Sequence, residues 1–470
     1  MHFTDHPRPG AAAALRDVTF SPFWLTTPAA PLPVLTDDIE TDLLVVGGGF
    51  TGLWTALLAR ARDPRRDIVV IDAERVGHAA SGRNGGFLHA SLTHGFANGL
   101  DRWPRELATL LRLGHENLAA IRSTVERLGI DCDWRDSGEL EVAFTAHDAQ
   151  RIRAHPELAA EHGERLEWLD ADALRARIDT PIATGGVLEP HGVALVDPAA
   201  LHRGLVDACL TQGIRLYEHS RLEHITSANY GIAARTPLAS IRARGAVLAT
   251  NAARSPITSV RRRIVPVYDA VLVSEPLTEA QWETVGWRGF EGLKGAGNRF
   301  HYARRTRDGR ILWGGFDAIY RYGSAMGPQY EHDMPTYARL ADHFATAFPQ
   351  LEGVRFTHAW AGAIDTCTRF TPFWKRAFGG RAVSVAGFTG LGVGASRFGA
   401  AVALDLLDDV PSVARSLEMV QTLPLPFPPE PARSAVIGLT QRSLARADRE
   451  GGRRDAWLRL LDRLHLGFDS

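Results

Sequence analysis

One segment, Asp42 to Asp72, constrains the fold of this chain more than any other. It reads DLLVVGGGFTGLWTALLARARDPRRDIVVID: a short apolar run, a glycine turn, a helix-like stretch and a second apolar run that ends in an acidic residue. Short runs of β-branched residues and leucine that end in glycine are typical of buried parallel strands. The segment therefore predicts a strand, a tight turn, a helix and a second strand.

Gly47, Gly49 and Gly52 occupy the three glycine positions of the GxGxxG pattern. One glycine turns the chain, one lets the backbone approach a pyrophosphate, and one lets the helix pack on the strand. Asp72 follows the last glycine by twenty residues, where a carboxylate can accept ribose hydroxyl groups. The segment thus predicts a dinucleotide site. One alternative is a chance match of glycines. The other is a membrane span over Leu43 to Ala59, but the three glycines and a length near the lower limit argue against a span.

Length, charge and cysteine content narrow the class of protein. A chain of 470 residues exceeds one typical core, and 45% hydrophobic with 23% charged residues is ordinary for a soluble protein. The net charge of −1 gives no reason to expect nucleic acid or a membrane surface as partner. Three scattered cysteines and an N-terminus without a signal-peptide pattern favour the cytoplasm.

A second glycine-rich segment, SGRNGG, follows Asp72. Gly85 and Gly86 would let the backbone approach a flat ligand, and Ser81, Arg83 and Asn84 offer hydrogen-bond donors. A plain surface turn is the alternative.

A third glycine-rich loop lies between an apolar strand from Ala382 and a helix that begins near Ala395. A nicotinamide dinucleotide requires only the first glycine loop. A flavin dinucleotide is long and must be held at both ends, so a second loop before a helix N-terminus favours FAD.

The order of strand and helix patterns predicts a mixed α/β (α+β) fold with two interleaved domains. A discontinuous, Rossmann-like FAD-binding domain is expected from residues 36–95, 196–262 and 380–410. A substrate domain with an antiparallel sheet is expected from residues 96–195 and 263–379. Residues 1–35 read as a poorly ordered arm, and residues 411–470 as a Pro-rich linker and an amphipathic helical tail that packs on the body.

The motifs resemble those of the D-amino-acid-oxidase-like flavoproteins, the class of glycine oxidase and sarcosine oxidase, and most closely the γ-glutamylputrescine oxidase group. The resemblance extends from about Phe23 to near the end of the chain. The segments that carry it are VVGGGFTGLWTALLA, ERVGHAASGRNGG, YARRTRDGRILWGGFDAIY, HAWAGAIDTCTRFTPFW and GFTGLGVGASRFG.

The resemblance implies positions around FAD. The glycines of the first loop would seat the pyrophosphate, Asp72 the ribose, and the backbone of Leu222 the adenine. The SGRNGG loop would run along the flavin ring. The pyrimidine side of the ring would be lined by Gly390, Leu391, Gly392 and Val393. A helix N-terminus there would stabilise the negative charge of the reduced ring.

The activity implied is oxidation of the C–N bond of a small primary or secondary amine or amino acid, γ-glutamylputrescine-like, by hydride transfer to flavin N5. The imine is then hydrolysed, and oxygen reoxidises the flavin. Two alternatives remain open. One is an amine dehydrogenase that uses another electron acceptor, and the other is a non-catalytic FAD-binding protein that recognises a partner.

Substrate residues are predicted on one strand face, where Tyr302 and Arg304 alternate. They are candidates to hold a carboxylate or polar end of the substrate, although a solvated charge at Arg304 is equally compatible. Trp360 is a candidate pocket wall, with core packing as the alternative. Tyr320 and Arg321 are weaker candidates.

His78 lies where some relatives attach FAD covalently through a histidine, so a covalent link is a hypothesis for this residue. Cys367 is displaced from the position of the linked cysteine in sarcosine oxidase. The histidines at 78, 89 and 94 lack the spacing of a metal site, and no metal is predicted.

Overall fold

The strand that opens the Asp42–Asp72 segment lies at the centre of the first sheet of the computed structural model, which describes residues 3–27 and 29–466. Strand β1 (Ile39–Val46) lies between β2 (Ile68–Ile71) and β11 (Ser240–Leu248) and is parallel to both. Helix α1 (Phe50–Arg62) connects β1 to β2. The predicted strand, turn, helix and strand are confirmed.

The first sheet has the order β18-β19-β11-β1-β2-β8, with the β9–β10 hairpin added beside β11. Its remaining strands are β8 (Arg215–Tyr217), β9 (His224–Ala228), β10 (Gly231–Arg235), β18 (Phe373–Ala377) and β19 (Ala382–Ala386). The sequence placed β18 in the substrate domain. It pairs antiparallel with β19 instead, because Gly379 and Gly380 adopt φ of 65° and 87° and reverse the chain.

The second sheet has the order β16-β12-β15-β14-β13-β4-β6-β5, with β17 beside β12, and only the β4–β13 pair is parallel. Its strands are β4 (Glu139–Ala143), β5 (Glu167–Asp170), β6 (Gly185–Glu189), β12 (Val265–Ser274), β13 (Gly292–Gly295), β14 (His301–Arg305), β15 (Ile311–Gly315), β16 (Ile319–Tyr320) and β17 (Phe356–Thr366). A turn at Asp308–Gly309 joins β14 to β15. Strands β3 (Phe87–His89) and β7 (Val193–Leu195) form a separate pair.

Helices pack on the first sheet and around the second sheet. The other helices are α2 (Phe96–Arg102), α3 (Leu107–Leu128), α4 (Ala146–Ile152), α5 (His155–Ala160), α6 (Ala171–Arg175), α7 (Pro198–Thr211), α8 (Thr258–Arg261), α9 (Glu279–Val285), α10 (Met334–Ala347), α11 (Gly392–Leu407), α12 (Val413–Ser416), α13 (Glu418–Gln421), α14 (Ala432–Arg449) and α15 (Ala456–Arg463). Asp197 caps α7, since its carboxylate accepts from the Ala200 amide at 2.9 Å. Within the described residues, no helix combines the length and apolar character needed to cross a membrane.

The two ends of the chain pack on the body. The N-terminal arm was expected to be poorly ordered. Three of its side chains, Leu15, Trp24 and Leu35, are buried instead, because each packs against an apolar surface. Helices α14 and α15 form the expected helical tail. Residues 1, 2, 28 and 467–470, which belong to the predicted arm and tail, lie outside the described residues.

Two glycines of the first loop leave no room for a side chain. Gly47 adopts φ of 106°, and a Cβ atom there would lie 2.3 Å from the Ala249 carbonyl oxygen. A Cβ atom on Gly52 would lie 1.8 Å from the Gly47 carbonyl oxygen. The start of α1 therefore packs directly on the turn, as the GxGxxG pattern requires.

We expect Gly52→Ala to separate α1 from the turn and to lower the free energy of unfolding by about 2 kcal/mol, because the added methyl group overlaps backbone atoms. The midpoint temperature of thermal unfolding would fall. Gly438→Ala is the matched control, since a Cβ atom there meets nothing within 4 Å in the interior of α14. The control should gain up to about 1 kcal/mol from helix propensity. Equal behaviour of the two variants would contradict the packing described.

Candidate active site

A cavity of about 1160 Å³ lies between the glycine loops of the first sheet and one face of the second sheet. It exceeds the usual size of a small-molecule pocket, so it has room for an extended cofactor and a second molecule. Its lining combines residues of both sheets with residues of the C-terminal tail.

The N-terminus of α1 opens onto this cavity through Gly49, Phe50 and Thr51. The amides of Gly49, Thr51 and Gly52 donate to no acceptor within residues 3–27 and 29–466, whereas the Phe50 amide donates to Ser81 Oγ at 3.0 Å. Free N–H groups at a helix N-terminus bind phosphate. The cradle therefore fits the pyrophosphate of the FAD that the sequence predicts.

Asp72 lies beside the same turn but outside the cavity lining. Its two oxygens accept from the Gly48 amide at 2.8 Å and from the Glu74 amide at 2.9 Å. Burial raises the pKa of Asp72, and these amide donors oppose the shift. Each carboxylate oxygen keeps acceptor capacity for a ribose hydroxyl. Leu222, after β8, is half-buried against the core of the first sheet and also lies outside the lining.

The loop from Ser81 to Gly86 presents one edge to the cavity. The members that line it are Ser81, Arg83, Asn84 and Gly85. Gly86 turns away with φ of 78°, and a Cβ atom on it would lie 2.1 Å from the Val196 carbonyl oxygen. The backbone of this loop therefore passes along the cavity in a fixed path.

The Asn84 side chain stabilises the loop through hydrogen bonds to the loop's own backbone. Its Nδ2 donates to the carbonyl oxygens of Ala80 at 2.9 Å and Ser81 at 3.0 Å, and its Oδ1 accepts from the Gly86 amide at 2.8 Å. The side chain was predicted as a donor to the ligand, but its amide is already occupied by the loop.

Two tryptophans hold the loop from behind. Trp24 Nε1 donates to the Asn84 carbonyl oxygen at 2.9 Å, and Trp360 Nε1 donates to the Arg83 carbonyl oxygen at 2.8 Å. Trp360 is 2% exposed and lies outside the cavity lining. The prediction that it walls the pocket is wrong, because its indole packs in the core and fixes the loop.

Arg304 holds the same loop and does not reach the substrate side. Its Nη1 donates to the carbonyl oxygens of Gly85 and Gly86, each at 3.3 Å, and of Val196. The residue is fully buried, and burial lowers its pKa to about 10, so it stays charged at neutral pH. The predicted contact with substrate is wrong, because the loop covers Arg304 on the strand face that it shares with Tyr302.

The N-terminus of α11 forms a second cradle. The residues predicted to line the flavin ring all line the cavity: Gly390, Leu391, Gly392 and Val393. The amides of Gly392, Val393 and Gly394 donate to no acceptor in the described part of the chain. Positive partial charge at this terminus fits the edge of the flavin ring that gains negative charge on reduction.

Asp365, at the end of β17, supports the second glycine loop. Its Oδ2 accepts from the Gly387 amide at 2.6 Å, and burial raises its pKa to about 7 against this amide donor. The sequence analysis missed this residue. A lone carboxylate at the end of an otherwise apolar strand was the available signal.

Tyr302 faces the cavity. Its hydroxyl group donates to Asp269 Oδ2 at 2.6 Å, and burial together with this carboxylate raises the pKa of Tyr302 well above 10. Burial also raises the pKa of Asp269 to about 6. Asp269, on β12, was missed because its strand reads as apolar core.

The two weaker substrate candidates differ in position. Tyr320 lines the cavity, where its hydroxyl group donates to Glu430 of the tail. Arg321 does not line it, because its guanidinium pairs with Asp333 at 2.8 Å and lies over the Tyr330 ring. The prediction that Arg321 belongs to the pocket is therefore wrong.

His78 is exposed and lies outside the cavity lining. Its carbonyl oxygen accepts from Arg83 Nε at 2.8 Å, and its ring lies 3.4 Å from Arg83 Nη2. Arg83 in turn pairs with Glu331 at 2.5 Å. The covalent flavin link at His78 stays a hypothesis.

Three other reactive side chains that line the cavity are neutral. Cys367 lines it, but its thiol donates to the Thr371 carbonyl oxygen at 3.2 Å, and burial raises its pKa. Burial lowers the pKa of His89 to about 3 and of His94 to about 4. No group of three or more His, Cys, Asp or Glu among the described residues is arranged to hold a metal ion.

A set of carboxylates that the sequence analysis missed lines another part of the cavity. We call Glu139, Glu141 and Glu189 the acid wall. Burial raises the pKa of Glu139 to about 7 and of Glu189 to about 8. For Glu141, burial raises the pKa, but Lys294 and His155 lower it further, so its net shift is downward.

The C-terminal tail completes the cavity. The apolar side chains that it contributes include Phe427, Val436, Ile437, Leu444, Leu458 and Leu461. Glu430 fixes the start of the tail by accepting from the Tyr320 hydroxyl group and from the Ser434 amide. The tail therefore takes part in the site and is not an appendage.

We expect Arg304→Met to free the SGRNGG loop, since three carbonyl oxygens lose a charged donor. The loss should be about 2–4 kcal/mol in unfolding free energy, accompanied by weaker retention of FAD. Chemical denaturation and flavin absorbance after gel filtration measure both. Arg307→Met is the control, because the Arg307 side chain is exposed and pairs with Asp131 and Asp133 rather than with the loop. Unchanged FAD retention in Arg304→Met would contradict the anchoring role.

We expect the free energy of unfolding to fall as the pH rises from 5 to 8, partly because of the raised pKa of Glu189. Burial first, and then Glu139 and Glu164, raise its pKa from 4.5 to about 8, with Lys294 opposing the shift. Between these values the folded chain holds a proton that the unfolded chain has released, so raising the pH favours unfolding. Thermal unfolding of Glu189→Gln should show a shallower pH slope than the wild type. Glu167→Gln, an exposed change on β5, should keep the wild-type slope.

Comparison with known proteins agrees with this geometry. Residues 42–406 match the family model described as DAO, FAD dependent oxidoreductase. Gamma-glutamylputrescine oxidoreductase of Escherichia coli K12 is 31% identical over 74% of this chain and 79% of its own length. The probable oxidoreductase OrdL of Haemophilus influenzae is 26% identical over 73% of this chain and 78% of its own length.

Among solved structures, glycine oxidase from Geobacillus kaustophilus superposes with a TM-score of 0.68 at 18% identity, covering 82% of this chain and 98% of its own. This likeness confirms the fold class. The family model ends at residue 406, before the tail that closes the cavity. The family match over most of the chain agrees with the two cradles. The chain therefore belongs to the FAD dependent oxidoreductase family, and its cofactor is FAD.

Proposed function

We propose that this oxidoreductase oxidises the C–N bond of a small primary or secondary amine or amino acid resembling γ-glutamylputrescine. The observation that carries the proposal is that one cavity joins both helix N-termini to the polar face of the second sheet, where Tyr302 and the acid wall lie. The name of the Escherichia coli relative supports this substrate class.

The proposed roles around FAD follow from the two cradles. The free amides at Gly49, Thr51 and Gly52 would hold the pyrophosphate, Asp72 the ribose and the Leu222 backbone the adenine. The loop from Ser81 to Gly85 and the segment Gly390–Val393 would hold the ring. FAD, when bound, supplies the two-electron acceptor for the oxidation.

Tyr302 is placed to orient the amine. Its proton is committed to Asp269 Oδ2, so its oxygen keeps lone pairs that can accept an N–H of the substrate. Holding the nitrogen fixes the direction of the neighbouring C–H bond. Asp269 keeps the hydroxyl group of Tyr302 in this orientation and acts as a positioning residue.

The tail and the second sheet would keep water from the reacting carbon. Apolar side chains of α14 and α15 cover the cavity, and Phe87 packs edge-on to Tyr302 with a ring-centroid distance of 5.9 Å. A dry site strengthens the interaction of the α11 N-terminus with negative charge.

Anaerobic visible spectroscopy tests the proposal. Addition of γ-glutamylputrescine should bleach the oxidised flavin absorbance, and air should restore it with formation of hydrogen peroxide. Recovery with a quinone but not with oxygen would assign the dehydrogenase alternative. If neither this compound nor a panel of amines and amino acids bleaches the flavin, the proposed function is wrong and a non-catalytic FAD-binding role takes its place.

A further inference from the structure

The oxidation step does not require the carboxylates of the acid wall, and strand pairing fixes their positions. Glu139 and Glu141 alternate on β4 and therefore share one face of the sheet. Glu189, on β6, is the direct cross-strand partner of Glu139. Side chains paired in this way have Cβ atoms about 4.5–5.5 Å apart. One ligand atom can therefore contact both carboxylates.

The wall has buried acceptors without donors. Glu139 is 8% exposed, and no hydrogen bond reaches its carboxylate from the described residues. The ring of His89 lies 3.5 Å away but is neutral, because burial lowers its pKa to about 3. Glu141 Oε1 is also buried and has no hydrogen-bond partner within residues 3–27 and 29–466.

The protein cations nearest the wall lie beside Glu141 and lower its pKa, but they do not offset the raised pKa values of Glu139 and Glu189. Lys294, on β13, is the register partner of Glu141 and lines the cavity beside it. His155 lies 3.8 Å from Glu141, and His115 is hydrogen-bonded to Glu164 at 2.9 Å. The arginines that line the cavity are committed to other carboxylates: Arg83 to Glu331, Arg299 to Asp5, Arg339 to Asp317 and Arg454 to Asp462.

We infer that the acid wall binds a second ammonium group of the substrate, distinct from the nitrogen whose C–N bond is oxidised. An ammonium group has three donors and can bridge Glu139 and Glu189. It also supplies the charge that two buried carboxylates require. Burial first, and then neighbouring carboxylates, raise the pKa of both residues, and a bound ammonium group would oppose these shifts. The inference rests on the proposed function and specifies its substrate class as amines with two cationic nitrogens.

Two kinds of substrate carry such a group: an aliphatic diamine and an amine linked to an α-amino acid. Both present the same ammonium to the wall. Preference for 1,4-diaminobutane over butylamine would assign an aliphatic ammonium. Preference for γ-glutamylputrescine over the analogue that lacks its α-amino group would assign the amino-acid head. If neither preference reaches tenfold, the inference is overturned.

The test is anaerobic stopped-flow reduction of the wild type, Glu139→Gln and Glu189→Gln by 1,4-diaminobutane, γ-glutamylputrescine and butylamine. We expect the substitutions to lower the reduction efficiency at least tenfold more for the compounds with two cationic nitrogens than for butylamine. Glu167→Gln, exposed on β5, is the control and should match the wild type. Equal losses for all three amines would overturn the inference.

Calorimetric titration of the holoenzyme with 1,4-diaminobutane separates this inference from the proposed function. If no amine reduces the flavin, the proposed function fails, but binding weakened at least tenfold by Glu189→Gln would still support the acid wall. Unweakened binding in both folded variants would overturn it. The comparison of amines on the wild type requires no variant, so poor folding of a variant leaves the test intact.

Discussion

Arg304 joins the two halves of the molecule. It lies on a strand of the second sheet, and its guanidinium donates to carbonyl oxygens of the SGRNGG loop, which follows the first sheet. Charge-assisted hydrogen bonds in a buried setting fix geometry more firmly than neutral ones. Trp24 and Trp360 add one hydrogen bond each from the same side. The path of the loop along the cavity depends on this anchor, and so does the position proposed for the flavin ring.

The cavity has opposite electrostatic character in its two parts. Free amides at the starts of α1 and α11 favour an anionic ligand, whereas the acid wall favours a cation. FAD carries the negative charge, and an amine carries the positive charge. The cofactor and the substrate would therefore bind in parts of one cavity that have opposite electrostatic character. The apolar tail covers both parts.

Local spacing determined what could be predicted from the sequence. The glycine loops, the Asp197 cap and the turn at Asp308–Gly309 each depend on residues that are close in the chain. The role of Arg304 could not be read this way, because it contacts a carbonyl group 219 residues away. The acid wall depends on strand register, which pairs Glu139 with Glu189. The tail could be predicted as helical, but its place over the cavity arises from tertiary packing.

The most direct test of this account is a crystal structure of the dithionite-reduced holoenzyme with 1,4-diaminobutane, which cannot be oxidised in that state. The account predicts the flavin ring between the SGRNGG loop and Gly390–Val393, one substrate nitrogen at Tyr302, and the other hydrogen-bonded to Glu139 or Glu189. A ring held elsewhere, or a diamine that leaves the acid wall without a ligand, would contradict it.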